Sequence, residues 1–132
     1  MSREWGRSRW RDDRGALTLS YVAILPLVFL LIMALIQASL WFLARSAALA
    51  AARRGADAAR TFEATRASGL AAALAFAHQA GQGYLEDPWA TAAGSTGTTV
   101  SITVDGHVPS FIPGLVMNVS ETVQAPAETF RP

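Results

Sequence analysis

Residues 17–43 read LTLSYVAILPLVFLLIMALIQASLWFL, and no charged side chain falls anywhere in residues 16–44. As a helix this run is about 40 Å long, against about 30 Å of bilayer hydrocarbon. Sixteen of its side chains are Leu, Ile, Val or Phe. At roughly −0.3 to −0.6 kcal/mol each near the centre of a span, they supply on the order of −5 to −10 kcal/mol toward insertion, which Gln37 and the hydroxyl residues do not cancel. A secretory signal peptide has an apolar core of only about 7–15 residues, so the run predicts an uncleaved or pilin-type single-pass anchor. A buried helix of a soluble core is the weaker reading at this length.

Once that segment is set aside, a chain of 132 residues has room for one small domain. The apolar excess, 52% hydrophobic against 16% charged, is therefore local to the run. Pro26 removes an amide donor, frees the carbonyl of Val22 and is expected to bend the helix. Tyr21 near the start and Trp41 near the end fit amphipathic rings at the two interfaces. Arg3, Arg7, Arg9, Arg11 and Arg14 precede the span, and Arg45, Arg53, Arg54 and Arg60 follow it. A short basic leader stays cytoplasmic, so the expected topology is N-terminus inside and C-terminal domain outside.

Several function classes find no support. Net charge is +1, and the basic residues, all Arg, are scattered rather than striped with aromatics, which argues against nucleic acid as a partner. There is no Cys, so disulfides, thiolate catalysis and Cys-based zinc sites are excluded. His78 in an expected helix and His107 after an expected turn have no metal-ligand spacing, which leaves them surface or packing roles and leaves no metal or cofactor to expect. No nucleophile with its base, no carboxylate pair and no phosphate-cradling loop appears, so an enzyme acting on a small-molecule substrate is not expected. The acidic residues after the span, Glu121 among them, read as charges on solvated faces. Asn118-Val119-Ser120 matches a glycosylation acceptor, a pattern common by chance.

Just before the span stands Arg14-Gly15-Ala16-Leu17-Thr18-Leu19-Ser20-Tyr21. A glycine here separates a charged tail from an apolar helix that starts at once, an arrangement that suggests a cut at the cytoplasmic face leaving Ala16 as the new amino terminus. An ordinary helix-start glycine is the plainer alternative. This run resembles the TadE-like pseudopilins of tight-adherence (Flp-type) pilus systems, whose motif is Arg-Gly, four small or apolar residues, then Glu and an aromatic. The resemblance continues through VAILPLVFLLIMALIQ, with Pro26 where the family usually has proline, through ARSAALAAARRGADAAR, and to the closing Glu128-Thr129-Phe130. It departs at Ser20, where the family usually has a Glu that is thought to pair with the amino terminus of a neighbouring subunit. Serine cannot supply that charge, though its hydroxyl enters a bilayer at lower cost.

The resemblance implies cleavage between Gly15 and Ala16 by a membrane prepilin peptidase. It also implies a structural role with other pilin or pseudopilin subunits and a membrane assembly platform. Two further readings stay open: an uncleaved anchored accessory protein of another envelope or secretion complex, and a secreted binding protein cut near residues 44–48.

Beyond the span the expected fold class is α+β, with a basic leader over 1–15, the membrane helix over 16–44, a helical stalk over 45–60 and a small domain over 61–132. Ala47, Ala51, Gly55 and Ala58 in the alanine-rich stalk would permit close helix packing. The spacing of Leu70, Ala73, Leu74, Ala77, Gly81, Tyr84 and Leu85 predicts a second helix over 62–85, ended by Asp87-Pro88 and followed by a flexible connector over 90–99. Val100, Ile102 and Val104 alternate with polar residues in a strand over 99–104, which Asp105-Gly106 is expected to turn. Residues 116–123 read as its antiparallel partner, the hairpin lying over the second helix. Two strands and one helix bury little, so other subunits are expected to complete the domain.

Overall fold

A computed structural model describes residues 12–61 and 64–128. Arg3, Arg7, Arg9 and Arg11 of the leader, Phe62 at the expected helix start, and Thr129 and Phe130 of the closing motif lie outside the described residues. The chain divides into two compact units, Met1–Ile36 and Gln37–Pro132. A single helix, α1 (Asp12–Arg60), forms the described part of the first unit and the opening of the second.

In the first unit the apolar side chains of α1 point outward. Leu19, Val22, Leu25, Phe29 and Leu30 are all exposed, a surface that water does not tolerate at this extent. Among the described residues one helix is long and apolar enough to cross a membrane, and it is this one. Pro26 lies inside it, with helix on both sides.

The second unit adds α2 (Arg66–Ala80) and three strands, β1 (Glu86–Thr91), β2 (Thr99–Val108) and β3 (Met117–Pro126), in a three-stranded antiparallel sheet of order β1-β2-β3. The architecture is α+β, as expected. Alternation sorts the sheet residues onto two faces. Val100, Ile102, Val104 and Val108 of β2 are buried, and their register partners Ala125, Val123, Glu121 and Met117 share that face. The opposite face is polar, with Thr103 and Thr122 joined hydroxyl to hydroxyl at 2.7 Å and His107 Nδ1 sharing a hydrogen bond of 2.7 Å with Asn118 Oδ1.

The helices cover the apolar face with small residues. Residues 45–60 are helical, and Ala48, Ala51, Ala52, Ala56 and Ala59 of this stretch are buried, as is Ala44 just before it; Ala47 and Gly55 join them, while Ala58 is only half-buried. Gly69, Ala73 and Ala77 form the matching face of α2. At the crossing, a Cβ on Gly55 would lie 2.8 Å from the Gly69 carbonyl oxygen, and one on Gly69 would lie 2.7 Å from the Gly55 carbonyl oxygen. The two backbones touch, which only glycine at both positions allows. The same point of α1 sits over Ile102, which with Val104 is the largest side chain fully buried.

Four local expectations are corrected. The second helix spans Arg66–Ala80, not 62–85. Thr65 caps it, its hydroxyl accepting from the Ser68 amide at 3.1 Å while the Ser68 hydroxyl accepts from the Thr65 amide at 3.2 Å. It stops because Gly81 and Gly83 follow, the latter at φ +89°. Asp87-Pro88 is not a helix end but part of β1, where Glu86 pairs with His107 and Trp89 with Asp105. Two residues there oppose Gly106 alone, a bulge on an edge strand that accommodates a proline without an amide and Asp87 at φ 44°. The expected connector over 90–99 shrinks accordingly, Ala90 and Thr91 belonging to β1 and Thr99 to β2. Asp105-Gly106 does not turn the chain: β2 continues to Val108, and Gly106 is small because the Leu85 side chain packs where a Cβ would stand.

The helix crossing predicts a large asymmetry between glycines. Gly69→Leu should lower stability by more than about 2 kcal/mol, since overpacking against backbone outweighs the helix-propensity gain of about 1 kcal/mol. Gly97→Ala, where nothing lies within 4 Å of the added carbon, should change it by less than about 0.5 kcal/mol. Thermal unfolding of the full chain in mild detergent separates the two by a Tm difference on the order of 10 °C.

Candidate functional site

Gly15 lies in α1, exposed, and a Cβ there would meet nothing within 4 Å beyond its own stretch of helix. Ser20 and Tyr21 follow on the same helix, both exposed. The five residues singled out in the sequence, Gly15, Ala16, Ser20, Tyr21 and Pro26, thus fall on one helical segment of the first unit, presenting a linear motif rather than a pocket.

The second unit holds a set of polar contacts that the sequence did not disclose. Gln37 is buried, although it stands in the apolar run. Its side-chain amide donates to the Pro109 carbonyl oxygen at 3.1 Å and approaches Met117 Sδ at 3.3 Å, and its side-chain oxygen accepts from the Phe111 amide at 3.2 Å. One side chain therefore satisfies two backbone groups at the start of the β2–β3 loop and leaves its own polar atoms paired. Two turns onward, Arg45 Nε donates to Glu121 Oε1 at 2.6 Å, and the Arg45 guanidinium carbon lies 5.5 Å from the centre of the Trp41 ring. Glu121 is the one carboxylate on the helix-facing side of β3, its side chain 17% exposed. The expectation that it is a solvated surface charge is corrected: Arg45 is what lets it stand there.

Both contacts had a sequence signal. Gln37 is the one amide in a long apolar run, and a polar side chain in such a place calls for a named partner. Glu121 interrupts the apolar phase Met117, Val119, Val123 of β3. The partners themselves lie more than 70 residues away in sequence and could not be read from spacing. His78 is exposed on α2, and His107 lies on the polar face of the sheet, its ring centre 5.7 Å from that of Trp89. Asn118, of the glycosylation-like triplet, is the residue bonded to His107.

The energetic weights of the two contacts differ. Gln37→Leu leaves the Phe111 amide without its acceptor and should cost about 1–3 kcal/mol, with faster hydrogen exchange at Phe111. Arg45 is half-exposed, so Glu121→Gln should cost no more than about 1 kcal/mol once solvent screening is counted. Exchange measured by mass spectrometry on the full chain distinguishes these outcomes.

The family model described as TadE-like protein matches residues 15–57. No curated protein and no solved structure matches the chain. The matched stretch is about a third of the chain, and it runs from the glycine of the candidate processing motif through the outward-facing apolar helix to the close crossing at Gly55. Residues 15–57 are thus similar to the TadE-like family, the same family that the run from Arg14 to Arg60 resembles.

Proposed function

We propose that the chain is a minor pseudopilin or assembly factor of a tight-adherence (Flp-type) pilus or a related secretion system. The observation that carries this reading is the TadE-like match, whose family points to such pilus-related systems, falling on a helix that is apolar and exposed before Gln37 and has a buried alanine face from Ala44 onward. The protein acts through packing rather than catalysis: the first part of α1 anchors it in the bilayer and offers a face to the helices of other pilin or pseudopilin subunits and of the assembly platform. The N-terminus is cytoplasmic, and the C-terminal domain is extracytoplasmic. A prepilin peptidase cuts between Gly15 and Ala16, freeing an amino terminus at the start of the apolar helix.

One observation favours a second reading. Ser20 stands where the family usually has Glu, so the charge that would pair with a neighbour's amino terminus is missing. An uncleaved, membrane-anchored accessory protein of an envelope or secretion complex needs no such charge.

The two readings differ in the mature amino terminus. Co-expression with a prepilin peptidase, followed by intact mass spectrometry of the membrane-extracted protein, should give a chain starting at Ala16, and Gly15→Leu should abolish the cut. A chain that keeps Met1 or Ser2 with the wild-type sequence supports the accessory-protein reading instead.

A further inference from the structure

Residues 109–116, between β2 and β3, carry side chains that the core does not take up. Phe111 is 65% exposed and Val116 78%, with Ile112 and Leu115 also exposed. From Val108 to Met117 the chain reads VPSFIPGLVM, without a charged residue. A cluster of this kind at a loop tip in water is a mark of an interaction surface. The loop is also held in place: Gln37 bonds the Pro109 carbonyl and the Phe111 amide, and the Leu115 amide donates to the Ile112 carbonyl oxygen at 3.1 Å.

What covers this tip follows from where Gln37 stands. Residues 16–36, immediately before it, measure about 31 Å as a helix, close to the roughly 30 Å of bilayer hydrocarbon. Gln37 is the first residue after a stretch long enough to cross the hydrocarbon, and it is hydrogen-bonded to the loop. The order of residues beyond it agrees. Trp41 comes about 6 Å further along the helix, within the headgroup layer, and the first charge, Arg45, about 12 Å further. Phe42 and Leu43, on the same turns, are exposed as well.

We propose that the β2–β3 loop is a second membrane-contacting element, with Phe111, Ile112, Leu115 and Val116 entering the boundary between acyl chains and headgroups. The ligand is the lipid bilayer itself. The span tethers the domain, and the loop fixes its height against the membrane surface. This rests on α1 crossing the bilayer, and not on the pilus assignment.

The absence of cysteine makes the test direct. Single variants Phe111→Cys and Val116→Cys, with Leu25→Cys in the span and Thr98→Cys at the far end of the sheet as references, are spin-labelled in the full chain. Each is placed at one copy per lipid nanodisc, and collision with oxygen, which concentrates in hydrocarbon, is compared with collision with a water-soluble nickel chelate. Labels at 111 and 116 should show an oxygen-to-nickel ratio about tenfold above that at 98 and approaching that at 25. A ratio at 111 and 116 equal to that at 98 overturns the proposal, as does low access to both reagents, which would place the loop against protein. An aqueous reading at 25 would instead overturn the membrane span, and this inference with it.

Discussion

The unit from Gln37 onward depends on two helices being able to touch backbone to backbone. Its core has few large side chains, so the area it buries comes from closeness rather than bulk. Gly55 and Gly69 remove the last obstacle at the crossing, and the alanines on either side let the helices and the sheet approach along their length. Widening that seam by one methyl group at its centre would draw Ile102 out of contact with α1 and loosen the sheet it belongs to. Dispersion contacts fall off steeply with such gaps, and a small domain has little stability to spare.

The surface of the same helix changes character along its length. Up to Ile36 its surface is made of Leu, Ile, Val and Phe facing outward, suited to lipid. From Ala44 its inner face is alanine, suited to a close protein partner, while Arg53, Arg54 and Asp57 keep the outer face wet. Between them stands Gln37, whose amide is satisfied by backbone brought back from the β2–β3 loop. A buried amide with both ends paired adds little net stability, but its loss strands other groups, so it sets register more than it adds energy. Two strands and one helix were expected to need other subunits to complete the domain; α1 supplies part of that surface from within the chain.

Much of this was legible in the sequence because the signals are local. The uncharged run, the Arg14-Gly15 junction and the TadE-like resemblance of the first 60 residues needed no tertiary information. The alternation of Val100, Ile102 and Val104 was sufficient for the central strand, since period two with one buried face has few other readings. What escaped was decided by neighbours. Asp87-Pro88 and Asp105-Gly106 both carry turn chemistry, yet they face each other across a bulge in which the proline needs no partner and the glycine gives way to Leu85. The apolar spacing through Leu85 continued a helical period past the actual helix end at Gly81, and Gly83 at φ +89° takes the chain out of helical conformation. The five motif residues were readable as a linear pattern, whereas the pairing of Gln37 with the loop and of Arg45 with Glu121 arises only when the sheet has formed.

The central claim is that the second half of α1 is the core of the domain and not a stalk that carries it. It is tested most directly by comparing urea unfolding of two fragments in mild detergent, residues 37–132 and residues 61–132, followed by circular dichroism. The account predicts a single cooperative transition for 37–132 and none for 61–132, which lacks the alanine face and both latching side chains. A cooperative transition of similar midpoint in the shorter fragment would contradict it.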